Sequence, residues 1–187
     1  MITIRHERPA DAPAREALLD RAFGACRFEE TCQLLREGRR AAEGLSFVAS
    51  AFGRIVGTVR LWHVAFGGRP TLLLGPLAVH PDWRARGIGA LLMRRALAEA
   101  GARGHAAVLL VGDAPYYARF GFSAEKTGPL SLPGPYEADR LLAREFTPGA
   151  LDGAGGLILA ARASSERRGG ATRVAPAAPH AALPHAA

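Results

Sequence analysis

The chain predicts an α/β (α+β) domain, and three observations carry that prediction. Thr71 to Val79 is a nearly continuous apolar run, as a strand buried on both faces should be. Directly after it, Arg84-Ala85-Arg86-Gly87-Ile88-Gly89-Ala90 opens a helical pattern, with Ile88, Leu91, Leu92, Ala96, Leu97 and Ala100 on one face. Ser46 to Ala51 and Ile55 to Val64 are strand-like runs joined at Phe52-Gly53-Arg54, a hairpin signal. At 187 residues the chain is long enough for one full core and too short for two.

The elements follow in order. Ile2 to Arg5 alternates apolar and polar and predicts a first strand. Asp11 is placed to cap a helix running to about Phe23, with Ala14, Ala17, Leu18 and Ala22 on one face. A second helix is expected from Glu29 to Glu37, stopped by Gly38. Gly75-Pro76 interrupts the apolar run, and proline cannot donate to a ladder, so a bulge or kink is expected there. Beyond the helix at 88–101 come a strand at 106–111 and a short helix from Pro115 to Phe120, with Asp113 as its N-cap. Thr127 to Pro135 is expected as a loop, and Leu141 to Phe146 and Gly156 to Ala161 as closing strands. From about Ala163 the composition turns to Ala, Pro, Gly and Arg with few large apolar residues, which predicts a domain over 1–162 and a disordered tail over 163–187.

A strand, a short glycine loop and a helix N-terminus gather unpaired N–H groups and the positive end of a helix dipole at one point, which suits a phosphate. Gly87 and Gly89 lack Cβ and let a ligand approach the backbone, while Arg84 and Arg86 add forked donors at the rim. The dinucleotide fingerprint fails, because Gly87-Ile88-Gly89-Ala90-Leu91-Leu92 ends in leucine, and no G-x-x-x-x-G-K-[ST] occurs. The residues do resemble the [Q/R]-x-x-G-x-[G/A] acetyl-CoA signature of the GCN5-related N-acetyltransferase (GNAT) superfamily, with Arg84, Gly87 and Gly89 in its three defined positions. Leu77-Ala78-Val79-His80-Pro81-Asp82-Trp83 is similar to that family's lead-in to the loop. Tyr116-Tyr117-Ala118-Arg119-Phe120-Gly121-Phe122 resembles its "[FY]-Y-x-x-x-G-F" segment, in the right order and at a fitting separation. With Gly112-Asp113 ahead of it, this version is similar to a bacterial subgroup of predicted acetyltransferases whose substrates are mostly unassigned.

The resemblance implies a GNAT fold over roughly Met1 to Arg162: a central mixed, mostly antiparallel sheet with splayed central strands, flanked by helices. It implies acetyl-CoA as co-substrate, with no metal. Leu77, Ala78 and Val79 would offer backbone groups to pantetheine, and Arg84, Ala85, Arg86, Gly87, Ile88, Gly89 and Ala90 would hold the pyrophosphate. Side-chain packing of Leu77 and Val79 in the core is compatible with that role. Tyr117 matches the family tyrosine that acts as general acid, four residues ahead of Gly121; a phenol with an ordinary pKa near 10 is protonated at neutral pH and can donate to a departing thiolate. Tyr116 is expected as core or substrate wall. The general base stays open between Glu29, Glu30, His63, His80 and a chain of waters, since no glutamate lies between Thr71 and Val79.

Composition narrows the partners. The net charge is +7, yet Lys126 is the one lysine and the arginines are scattered among acids, so nucleic acid is not expected, while the charge should help draw in polyanionic CoA. Cys26 and Cys32 are too few for a disulfide framework and lack metal spacing. Glu7 and Asp11 come too early for a signal peptide and no 18-residue apolar run exists, so a soluble cytoplasmic protein with no membrane partner is expected. The expected function is transfer of an acetyl group to a primary amine of a small molecule or protein by direct attack in a ternary complex. A non-catalytic acyl-CoA-binding sensor is the alternative, and a homodimer stays open.

Overall fold

The computed structural model of the chain describes residues 1–24 and 31–161. In chain order its elements are β1 (Ile2–His6), α1 (Ala12–Phe23), α2 (Thr31–Leu34), β2 (Ser46–Ala51), β3 (Arg54–Phe66), β4 (Arg69–Val79), α3 (Ile88–Ala102), β5 (Ala107–Val111), α4 (Ala114–Ala118), β6 (Leu130–Ser131), β7 (Leu141–Glu145) and β8 (Gly156–Ala160). The strands lie in the order β1-β2-β3-β4-β5-β7, and every neighbouring pair on that path is antiparallel except β4 with β5. β8 extends β3 at Val64–Phe66, beyond the reach of β2, and carries β6 alongside it in parallel. The expected mixed, mostly antiparallel sheet flanked by helices is the observed one.

Local chemistry explains the joints. Phe52 and Gly53 both have positive φ (48° and 74°), the backbone of a two-residue turn whose twist matches that of the strands it joins. Pro76 makes the bulge that its missing N–H predicts. Val59 pairs Leu77 and Leu61 pairs Leu74, so the single residue Arg60 faces both Gly75 and Pro76.

The sheet is covered on both faces. Ile88, Leu92, Met93, Ala96, Leu97 and Ala100 of α3 are buried in one core with Val59, Leu61, Leu72, Leu74, Val108 and Leu110. Gly57 lets α3 come this close, because a Cβ there would lie 2.9 Å from Leu92 Cδ1 and 3.0 Å from Ile88 Cγ2. Val64, Phe66, Leu73 and Leu109 pack on the opposite face with Leu130, Leu141 and Ile158. Leu18 and Leu19 of α1 pack on Ala78.

Several expectations are corrected. Asp11 makes no side-chain bond to the start of α1. Its carboxylate is instead taken by the Arg5 guanidinium, at 2.6 and 2.8 Å, and by the Arg8 N–H, at 2.7 Å. The buried face of α1 is Arg15, Leu18 and Leu19 rather than one through Ala14 and Ala17, because Arg15 is drawn inward by Glu7. Leu91, placed in the α3 stripe, is 43% exposed. α2 ends at Leu34 rather than at the expected Glu37, and the loop at 127–135 contributes β6. Glu29, Glu30, Cys26 and the tail expected from 163 lie outside the described residues. Among the described residues no helix is long and apolar enough to cross a membrane.

Candidate active site

The glycine loop is built as a concave row of donors. After a 3-10 turn at Pro81–Trp83 and an extended Arg84 (φ −63°, ψ 165°), Ala85 adopts φ 58° and Gly87 φ 74°, both in the left-handed region. Two left-handed residues this close together make a tight turn ahead of the helix, the kind of backbone in which successive N–H groups line an anion-binding concavity. Ala85 bears the cost of a side chain in this region, of order 1 kcal/mol, which is the kind of strain found at ligand clamps. Gly87 is also the N-cap of α3. Among the described residues the N–H groups of Ala85, Arg86, Gly87, Ile88, Gly89 and Ala90 meet no acceptor; the first one satisfied is that of Leu91, on the Gly87 carbonyl at 3.0 Å. The Arg86 guanidinium lies 4.9 Å from the Trp83 ring centre.

Beside this loop a cleft opens in the sheet. β4 and β5 pair only at Leu72 with Val108 and Leu73 with Leu109. Beyond them the strands part, and a cavity of about 860 Å³ opens, lined by Leu74 to Leu77 on one strand and Leu110 to Gly112 on the other. Leu77, Ala78 and Val79 are held from the other side by Val59, Thr58 and Gly57 of β3, and among the described residues no strand pairs their edge toward β5. The Ala78 side chain is buried against α1 and Val79 packs on the α3 core, so core packing and a free backbone edge coexist. The indole N–H of Trp62 donates to the Gly75 carbonyl at 2.5 Å, which fixes the bulge at the mouth of this gap.

Tyr117 stands on the opposite wall. Asp113 caps α4 as expected, its carboxylate accepting from the Tyr116 N–H at 3.3 Å. Gly112 is needed for the phenol's place: a Cβ there would overlap Cε2 of Tyr117 and approach Cδ2 to 2.8 Å. Tyr116 meets Tyr117 edge-on at 4.9 Å, and Phe122 does so at 6.1 Å. Both tyrosines line the cavity. Among the described residues the Tyr117 hydroxyl has no hydrogen-bond partner. Burial first, then the neighbouring Tyr116, pushes its pKa up to about 12, above the value of 10 that the residue type alone suggests. Tyr116 does more than wall the cleft. Its hydroxyl lies 3.2 Å from where a Cβ on Gly89 would be, so it joins the cleft to the donor loop.

The base candidates separate. His63 meets His105 at 5.8 Å with the rings tilted by 44°, and neither lines the cavity. His80 also lies outside it: Nδ1 accepts from the Asp82 N–H at 3.3 Å and Nε2 faces Arg21 at 2.9 Å. Among the described residues the carboxylates that line the cavity are Asp113 and Glu137. Glu137 went unread in the sequence because it comes from an irregular loop far along the chain, with no motif around it. Gly112 was legible, since it opens the tyrosine motif.

Similarity to known proteins decides the family. The family model for an acetyltransferase (GNAT) domain matches residues 42–124, from the approach to β2 through the end of the tyrosine motif. YhbS of Escherichia coli K12, an uncharacterized N-acetyltransferase, is 31% identical over 157 residues, covering 83% of this chain and 93% of its own length. The chain belongs to the GNAT acetyltransferase family. Crystal structures of GNAT relatives agree. YhbS from E. coli, solved in complex with CoA, superposes with a TM-score of 0.74 at 30% identity, over 86% of this chain and 89% of that one. A GNAT acetyltransferase from Brucella melitensis, in complex with acetyl-CoA, gives 0.62 at 30% identity, over 79% and 90%. The GNAT assignment covers the loop, the parted strands and Tyr117 within one matched stretch.

Proposed function

We propose that the chain transfers the acetyl group of acetyl-CoA to a primary amine of a small molecule or protein, by direct attack in a ternary complex. The observation that carries this reading is the continuity of the site. A row of unsatisfied N–H groups at 85–90 is joined through Tyr116 to the cavity between parted β4 and β5, and Tyr117 lines that cavity. The crystallised relatives with CoA and acetyl-CoA support the choice of ligand. In this reading Arg84 to Ala90 hold the pyrophosphate, Ala85 to Ala90 through backbone N–H groups and the α3 dipole, and Arg84, whose N–H is taken by the Pro81 carbonyl at 3.1 Å, through its side chain. The free edge of Leu77, Ala78 and Val79 takes the place of a strand partner for pantetheine.

The reaction needs a neutral amine, a polarised thioester carbonyl and a proton for the leaving sulfur. The amine nitrogen bonds to the acetyl carbon, the carbon–sulfur bond breaks, and sulfur keeps the electron pair and takes the Tyr117 proton. Burial raises the Tyr117 pKa, and the same desolvation raises that of the thiol, so donor and acceptor stay matched. The nitrogen must also lose a proton. Asp113 is engaged at the α4 N-terminus, whereas the Glu137 carboxylate lines the cavity and bears no hydrogen bond among the described residues; we assign it that proton. The test is thiol release from acetyl-CoA with a panel of primary amines. Release above background hydrolysis, with acetylated amine in equal amount, is the expected result. Tight acetyl-CoA binding with no turnover across the panel would instead identify a sensor.

A further inference from the structure

A second groove, of about 750 Å³, runs along the outer side of α3 between that helix, the end of α4 and β7. Its rim carries the guanidinium groups of Arg94, Arg119 and Arg144 against a single carboxylate, Glu145. That carboxylate is already occupied by Lys126 at 3.0 Å and by the N–H groups of Leu151 and Gly149, at 2.6 and 3.2 Å. The neighbouring arginines on α3 are treated differently. Arg95 and Arg103 share Glu99, at 3.5 and 3.0 Å, whereas Arg94 and Arg119 have no carboxylate among the described residues. An uncompensated cluster of forked donors beside a groove suits an anion.

Its distance from the donor loop says which anion. Arg94 is four residues beyond Ala90, so it lies on the same helix face about 6 Å further along, and its side chain leans back toward the helix start. Arg119 sits over the Tyr116 ring at 4.8 Å, and the Tyr116 hydroxyl reaches the first turn of α3 at Gly89. Arg94 thus shares the helix face of Ala90, and Arg119 is joined to Gly89 through the Tyr116 ring. CoA carries one more phosphate, on the 3′ oxygen of the ribose next to its pyrophosphate, and that ribose must leave the loop on the solvent side.

We infer that Arg94 and Arg119 bind the 3′-phosphate of CoA, and so let the protein tell CoA from its 3′-dephospho form. This rests on the proposed CoA site. Isothermal titration of CoA and of 3′-dephospho-CoA into the full chain tests it. Wild type should bind CoA at least about tenfold more tightly, equivalent to about 1.4 kcal/mol. R94Q/R119Q should bind both compounds with the affinity that wild type shows for 3′-dephospho-CoA, and R95Q should keep the preference. Equal affinity of wild type for the two, a preference surviving in R94Q/R119Q, or a loss that also strikes 3′-dephospho-CoA would overturn the inference. Wild type binding neither compound would refute the CoA site itself, a separate failure.

Discussion

Tyr117 combines three local facts: a cap that starts α4, a glycine that admits its ring, and burial that raises its pKa to about 12. In the proposed reaction Tyr117→Phe keeps the ring and its packing and removes only the proton. The turnover rate should fall by roughly 10²-fold with acetyl-CoA affinity nearly unchanged, as measured by steady-state kinetics beside titration calorimetry. The raised pKa keeps the phenol protonated through pH 10, so no loss of rate at high pH within that range should be due to Tyr117. Gly112→Ala tests placement rather than chemistry. Its Cβ forces the ring aside, so turnover should fall at least tenfold while both tyrosines remain. Unchanged turnover in Gly112→Ala would show that the ring's position is immaterial.

At the level of elements, β1, α1 and β3 are tied by charge as well as by packing. Glu7, just past β1, is 6% exposed and pairs with Arg15 of α1 and with Arg60 of β3, the latter at 3.1 Å. Glu7 Oε2 and Arg60 Nε are buried with no hydrogen bond of their own, while Arg60 Nη2 donates to Glu7 Oε1 at 3.2 Å, and burial lowers the Arg60 pKa. Removing one partner of such a pair leaves the other charge buried and uncompensated. Glu7→Gln should cost about 3 kcal/mol, at the low end for buried pairs because Arg15 keeps Glu16 at 2.7 Å. Thermal melts should show Tm down by roughly 6–12 °C, and a shift under 2 °C would mean that the pair is neutral in balance.

Across the whole molecule, acid sensitivity should come from the interior. His63 on β3 and His105 after α3 face each other at 5.8 Å, and burial holds both pKa values below the ordinary 6.5, with His105 lowered further by His63 and Arg103. The unfolded chain, with histidines near 6.5, therefore takes up protons first as pH falls. Their contribution to stability is complete above about pH 6.5 and declines from there toward the lower folded values. Tm measured at pH 7.5 and 5.5 should drop more in wild type than in His63→Gln/His105→Gln. Equal drops would assign the acid sensitivity elsewhere.

The sequence by itself determined what depends on neighbours along the chain. The Phe52-Gly53 turn, the bulge at Pro76, the α3 stripe apart from Leu91, the Asp113 cap and the glycine loop are each set by a few adjacent side chains and backbone dihedrals, and each stands where the pattern put it. Recognising Tyr117 drew on the same kind of short motif. The tertiary structure decided what depends on residues far apart in the chain. The Asp11 carboxylate went to Arg5 rather than to its own helix, because a guanidinium across the turn from β1 outbids a backbone N–H. The face of α1 rotated to bring Arg15 to Glu7. The parting of β4 from β5 after two residue pairs, the arrival of Glu137 at the cavity and the gathering of Arg94 with Arg119 likewise follow from packing. Periodicity says which side of an element is buried, but charges choose partners by distance, and distance exists only once the sheet and helices have closed on each other.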